Sequence, residues 1–418
     1  MIPRDITQEL LESAREYPVV TILGPRQSGK TTLARSTFPD KPYYSLEDPD
    51  IRLFAESDPR GFLSETWEEG AILDEIQRLP LLLSYLQGMV DQDPRQGRFI
   101  LTGSHQPALS EKISQSLAGR TAVLSLWPLS INELRLRGPI PSPFDLVVKG
   151  FFPGLHERGL DPRRFFNGYL QTYVERDLRS MVGVRDLSAF QKFLVLMAGR
   201  IGQLTNHSSL SNDVGVSAPT VRNWLSVLRA SYVLFELPPF FENIGKRLVK
   251  SSKFYFVDTG LAAFLLGLHT EEQVRRDPLR GSLYENLLVG DILKCAQNRG
   301  RKPDFFFYRD SRGSEVDLLV PESGRLYPVE IKSAETFTRD FMRGLENFRS
   351  LAISRSAPGL VFYNGPEDFV SEGLRVLNPF RQKTDLFTLV TTPPLKPAHG
   401  TTAEPSPSKR EQEGGECL

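Results

Sequence analysis

Eight consecutive residues, Gly24 to Thr31 (GPRQSGKT), restrict the folds open to this chain more than any other stretch. The apolar, strand-like VVTIL leads into them and the helix-like TTLARSTF leaves them, which is the setting a phosphate-cradling loop requires. Gly24 and Gly29 let the backbone curl so that successive N–H groups converge, and the following helix adds the positive end of its dipole. Pro25, Arg26, Gln27 and Ser28 line the same curl. Lys30 is placed to reach the β- and γ-phosphates of ATP, Thr31 to offer a hydroxyl to Mg²⁺, and Thr32 to continue the helix. The competing reading is a glycine-rich turn with a solvated lysine.

Downstream residues extend the argument. In GAILDEIQ (residues 70–77) an Asp-Glu pair directly follows an apolar strand; Asp74 then holds Mg²⁺ through water, and Glu75 is the base that polarises the attacking water. A plain surface turn is the alternative. RFILTGS ends in Thr102 and Ser104, hydroxyls suited to sensing the γ-phosphate or to capping the strand end. SLAGR brings in Arg120, either an arginine finger for a neighbouring subunit's nucleotide or a surface salt bridge. Lys30, Glu75 and Arg120 are thus the catalytic candidates. Up to about residue 135, apolar runs alternate with amphipathic stretches, which predicts a mainly parallel sheet covered on both faces with ligands at the carboxyl ends of its strands.

A chain of 418 residues forms two or three compact units. Its 51 basic and 51 acidic residues cancel, so binding to nucleic acid or an anionic membrane has to be local. Cys295 and Cys417 are too few for a disulfide framework or a zinc site and suit a reducing compartment, so a cytoplasmic location is expected. LPLLLSYLQGMV and LAAFLLGL fall short of the about 20 residues a membrane span needs. The first residues, MIPRDITQELLESAREYP, read as a surface helix rather than a signal peptide.

Four further segments follow the ATPase-like residues 1–135. RGPIPSPF is a proline-rich joint opening a helical connector over 136–187. In the next unit, 188–278, HSSLSNDVGVSAPTVRNWLSVLRA resembles a helix-turn-helix, with Ser217 as N-cap and Pro219 in the first turn of the second helix. YVLFELPPF and KSSKFYFVD supply the strands of a wing, with Lys246, Arg247, Lys250 and Lys253 near its tip, so the unit resembles a winged helix. Thr220, Arg222, Asn223 and Arg229 are the candidates for contact with DNA on the second helix, and Lys246 and Arg247 on the wing. A protein-binding winged helix is the alternative. Residues 279–390 return to α/β rhythm, and the polar tail 391–418 is expected to be disordered.

In the 279–390 unit, YENLLVGDIL, SEVDLLV and PVEIK resemble the core of the PD-(D/E)XK nuclease fold. Glu330 and Lys332 share one strand face, as do Asp317 and Glu315. Leu288, Val289 and Ile292 follow Glu285 at helical offsets, placing that carboxylate on a buried stripe. Three carboxylates meeting at about 4 Å repel by about 4 kcal/mol per pair at an effective dielectric near 20. Lys332 offsets only part of that, and a bound Mg²⁺ is expected to offset the rest. The alternative is a fold of this type kept for binding alone.

Taken in order, GPRQSGKT, ILDEIQ, ILTGS and SLAGR resemble the prokaryotic AAA-type ATPases that carry a restriction-endonuclease-like C-terminal domain of originally unknown function, and the likeness extends over nearly all of residues 1–380. The resemblance implies an α/β multidomain chain whose first unit is an additional-strand sheet of order 5-1-4-3-2. No helical lid with a second sensor arginine is legible after residue 135. The function expected is Mg-ATP binding and hydrolysis coupled to a DNA-binding or nuclease-like module. The alternative is an ATP-dependent conformational switch that binds a protein partner, with an inactive nuclease-like domain. A homo-oligomer is open under both, and no membrane is involved.

Overall fold

The computed structural model describes residues 1–104, 107–173, 186–240, 250–351 and 355–392. Its first sheet contains β1 (Val19–Gly24), β2 (Tyr43–Ser45), β3 (Ala71–Asp74), β4 (Phe99–Ser104) and β5 (Thr121–Ser125). They are all parallel, in the order β2-β3-β4-β1-β5, which is the 5-1-4-3-2 arrangement with β4 inserted beside β1. Alternation along each strand divides the apolar side chains between two faces. Val20, Ile22, Ile72 and Ile100 pack under α1 (Thr7–Glu16) and α2 (Lys30–Thr37), while Val19, Leu23, Leu73 and Leu101 pack under the helix Leu82–Gln92. The first helix is therefore not merely a surface element, since Ile6 and Leu10 are fully buried against the sheet.

Short helices, Pro143–Lys149, Pro153–Glu157 and Pro162–Tyr169, each begin on a proline, which fits the first turn because its missing N–H is not needed there. Then come the helices Leu187–Ala198, His207–Val214 and Ala218–Ala230 and the antiparallel pair β6 (Leu234–Leu237) and β7 (Lys253–Phe256). The turn between the second and third of these helices is made by Gly215 at φ 90° and by Ser217, whose hydroxyl accepts from Thr220 N at 3.2 Å. Lys246 and Arg247 lie outside the described residues, as do 393–418 of the polar tail.

The last unit has a mixed sheet, β8 (Phe306–Arg309), β9 (Glu315–Glu322), β10 (Arg325–Lys332), β11 (Leu360–Tyr363), β12 (Phe369–Ser371) and β13 (Leu374–Leu377), ordered β12-β13-β11-β10-β9-β8. The helix Arg280–Gln297 covers one face and Arg343–Leu351 the other. One continuous apolar cluster runs from Trp127 through the middle helices to Val390, so the middle and last units are buried on one another. Asn286 fixes the junction: its side chain accepts from Phe256 N and donates to Phe256 O, both at 2.8 Å. Among the described residues no helix is long and apolar enough to cross a membrane.

Candidate active site

The phosphate loop leaves β1 at Gly24, where a Cβ would collide with the carbonyl of Leu126. Gly29 enters α2 with φ 92°, a left-handed conformation that glycine adopts without steric cost. Lys30 is only 5% exposed and folds onto its own loop, donating to Pro25 O at 2.8 Å and Gly24 O at 3.2 Å. Burial pushes its ammonium down to about 8, while Glu75 and Asp74 pull it back up. Such a lysine is partly desolvated already and close to two carboxylates. Of the loop's other residues, Ser28 is buried with its hydroxyl on Pro25 O at 3.0 Å, Gln27 and Thr32 are exposed, and Arg26 lies over the Tyr173 ring at 5.7 Å.

Period-two geometry places Asp74 on the same sheet face as Ile72, the face that α2 covers, and Thr102 on the same face as Ile100. The hydroxyls therefore converge on Asp74. Thr31 Oγ1 lies 2.9 and 3.0 Å from its two carboxylate oxygens, Tyr43 donates to it at 2.8 Å, and Thr102 donates as well. Burial and the Asp74 carboxylate push the Tyr43 phenol up to about 12, so it remains a donor. Ser104, beside Gly24 in the β1–β4 register, is buried with no partner for its hydroxyl among the described residues. Glu75 follows with φ 59°, a conformation a non-glycine side chain rarely adopts, and its carboxylate accepts from the Gln77 amide. Backbone strain at such a position is characteristic of functional sites.

The donors around Asp74 are hard oxygens, the class that Mg²⁺ prefers. Among the described residues no group of three or more His, Cys, Asp or Glu is arranged to hold a metal. Beside the loop, a partly open and largely apolar cavity of about 150 Å³ is lined by Ile2, Pro3, Arg4, Gly29, Leu33 and Pro153 among others.

Arg120 stands apart. Parallel register pairs Val19 with Thr121, so Arg120 lies at the end of the sheet opposite the loop, and its guanidinium pairs with Asp91 at 2.5 Å. Within one chain it does not reach the loop. Two residues that the motifs missed do act there: Tyr43, whose only signal was a tyrosine in a strand, and Arg4, which donates to Ser28 O at 2.8 Å.

In the last unit Glu285, Asp317, Glu330 and Lys332 come together, with a cation that was expected elsewhere. Lys253 was assigned to the exposed wing tip, but β7 is buried along its length and this side chain is 2% exposed. It reaches Glu285 at 3.1 Å and Glu315 at 2.6 Å. Burial alone would lower it, but Glu285, Tyr255, Asp317 and Glu315 together hold it well above the ordinary lysine value. Lys332 pairs with Glu330 and lies 3.5 Å from Asp317, whose other contact is Ile331 N at 2.7 Å. Lys253 thus joins Lys332 in offsetting part of the carboxylates' charge. Burial, then Asp317, push Glu330 up to about 8. Its Oε2 is buried with no hydrogen-bond partner among the described residues, and Glu330 lines a pocket of about 440 Å³ with Arg312, Ser314, Arg343 and Asn347 among others. Arg309 and Glu315 form an ion pair at 3.0 Å.

On the helix Ala218–Ala230, Arg222 and Asn223 are exposed, Thr220 bonds the Ser217 hydroxyl at 2.8 Å, and Arg229 pairs with Glu236 at 2.5 Å. Arg229 is therefore engaged within its own unit.

Residues 16–135 match the AAA domain family, while 142–272 and 280–381 match two families each described as a domain of unknown function, DUF8612 and DUF4143. An uncharacterized protein of Mycobacterium tuberculosis is 33% identical over 370 residues, 85% of this chain and 80% of its own length. An uncharacterized protein of Haemophilus influenzae is 26% identical over 248 residues, 56% of this chain and 58% of its own. Among solved structures, a Walker-type ATPase of Pyrococcus abyssi is similar at 18% identity with a TM-score of 0.40, over 63% of this chain and 96% of that one.

Proposed function

The chain belongs to the same family as its uncharacterized mycobacterial relative and carries an AAA domain over residues 16–135, and from that premise we propose that it binds Mg-ATP at the loop Gly24–Thr31 and hydrolyses it. The observation that carries the reading is the convergence of Lys30, Thr31 and the Asp74–Glu75 pair at the ends of β1 and β3, with the Thr31 hydroxyl 2.9 Å from Asp74. Lys30 exchanges its carbonyl partners for β- and γ-phosphate oxygens. Thr31 and Asp74 would hold Mg²⁺, which would supply positive charge to offset that on the phosphate oxygens. Glu75 takes the proton of a water that attacks the γ-phosphorus as the bond to the β-phosphate oxygen breaks, and ADP and phosphate leave. Thr102 and Ser104 read the γ-phosphate, and the apolar cavity under Ile2, Pro3 and Leu33 takes the purine.

The finer reading joins this cycle to DNA. Arg222 and Asn223 are free to meet base edges, and Glu285, Asp317, Glu330 and Lys332 form a nuclease-like cluster. One observation favours the alternative of a protein-binding switch with an inactive nuclease-like unit: Lys253 and Lys332 already engage the carboxylates that a metal would need and offset part of their charge.

Phosphate release with and without duplex DNA, in wild type, Lys30→Ala and Glu75→Gln, tests the core reading. Lys30→Ala is expected to lose binding and turnover, and Glu75→Gln to keep ATP bound while turnover falls about 10²- to 10⁴-fold. Wild-type rates in Lys30→Ala would refute the reading. Mg-dependent cutting of DNA that disappears in Asp317→Ala would decide for the nuclease; tight ATP binding without any phosphate release would decide for the switch.

A further inference from the structure

Arg4 lies outside every motif, yet its side chain, only 8% exposed, hydrogen-bonds the phosphate loop from the wall of the apolar cavity. Nη1 donates to Ser28 O at 2.8 Å, Nη2 to Trp127 O at 2.7 Å and Nε to Glu133 Oε1 at 2.9 Å. Glu133 is itself fully buried and also accepts from Asp5 N and Ser130 N, both at 2.8 Å. The fork is therefore fixed by three acceptors, one on the loop and two on the segment from Trp127 to Glu133.

In a trans peptide the C=O and the N–H point in opposite directions. Arg4 holds the Ser28 carbonyl on its own side, so the N–H of the same peptide, that of Gly29, is turned away from Arg4 and into the curl of the loop. Gly29 at φ 92° accepts that orientation. An inward N–H is the donor with which such a loop binds phosphate. We propose that Arg4 is a positioning residue of the nucleotide site, which keeps the Gly29 N–H aimed at the phosphate tail by pinning the Ser28 carbonyl outward. This rests on the Mg-ATP reading. Lysine cannot replace it, because a single ammonium does not span the three acceptors that a planar guanidinium serves at once.

The test uses the full chain as wild type, Arg4→Lys, Arg4→Met and Glu133→Gln, with melting curves to verify folding. Affinity for Mg-ATP and for inorganic tripolyphosphate, steady-state kcat and KM, and amide exchange over residues 24–31 are measured. Arg4→Lys is expected to fold, to bind ATP and tripolyphosphate at least about tenfold more weakly by the same factor, to raise KM more than it lowers kcat, and to exchange the loop amides faster. Glu133→Gln should shift affinity in the same direction by less. Should Arg4→Met fail to fold, Arg4→Lys carries the comparison. Folded Arg4→Lys with wild-type affinity overturns the proposal, and so does a loss confined to ATP and absent for tripolyphosphate, which would move the role to the base cavity. Wild type that binds no ATP would instead fail the nucleotide reading itself, and this proposal with it.

Discussion

Ionisable side chains that fold into this molecule keep or lose their charge according to what they meet there. His156 meets little that would stabilise a proton: burial pushes it down to about 4, even though its Nε2 lies 2.7 Å from Gly150 O. An unfolded histidine takes up its proton near pH 6.5, so between that value and 4 the unfolded chain binds more protons than the folded one. Stability then rises with pH across the window and is lost as pH falls from 6.5 toward 4. The melting temperature of wild type is expected to fall more steeply over that range than that of His156→Gln, with parallel behaviour above pH 7. Equal slopes below pH 6.5 would show that the imidazole is not responsible. Because His156 belongs to the helix that brings Pro153 to the apolar cavity, acid should loosen that wall first.

Among the elements, β7 depends on a side chain that belongs to no strand. Asn286 completes the backbone pairing of Phe256 on the edge that does not face β6. Replacing it with leucine strands a buried N–H and a buried C=O, an expected loss of about 3 kcal/mol in urea-monitored unfolding; a loss below about 0.5 kcal/mol would mean that water or another group takes over. The parallel sheet and its loop were legible in the sequence because both are written locally, as apolar runs of strand length and as a glycine-lysine motif of fixed spacing. Lys253 was misplaced because its strand reads as half-exposed, whereas the helix Arg280–Gln297, which covers β7 with Tyr284, Asn286 and Leu287 buried, comes later in the chain. Arg4 left no trace at all: its partners lie 24, 123 and 129 residues away, and no periodicity reports contacts at that range. Of the two roles open to Arg120, the surface salt bridge is present, with Asp91 as its partner.

Over the whole molecule, the segment from Trp127 to Glu133 is held from two sides. Arg4 and the loop hold one side, and the helix Arg280–Gln297 holds the other through Asp291 Oδ1 to Ile131 N at 2.7 Å and Lys294 Nζ to Leu129 O at 3.0 Å. Burial lowers Lys294 while Asp291, Asp258 and Glu133 oppose it. Asp291→Ala removes the acceptor of a buried N–H and one of the charges that Lys294 faces, so a loss of about 3 kcal/mol is expected. Calorimetry of the full chain checks it, and a single transition that moves as a whole would mean that the units melt together, whereas two separated transitions would mean that this bridge was what joined them.

The same helix carries Glu285 about two turns upstream of Asp291, so the strut that braces the nucleotide loop and the floor of the acidic cluster are one rigid rod. Were ATP to bind the loop and a second ligand the acidic cluster, the four states, empty, ATP alone, second ligand alone and both, would close a circuit whose edges sum to zero. Whatever factor ATP imposes on the distant ligand, that ligand must return to ATP undiminished.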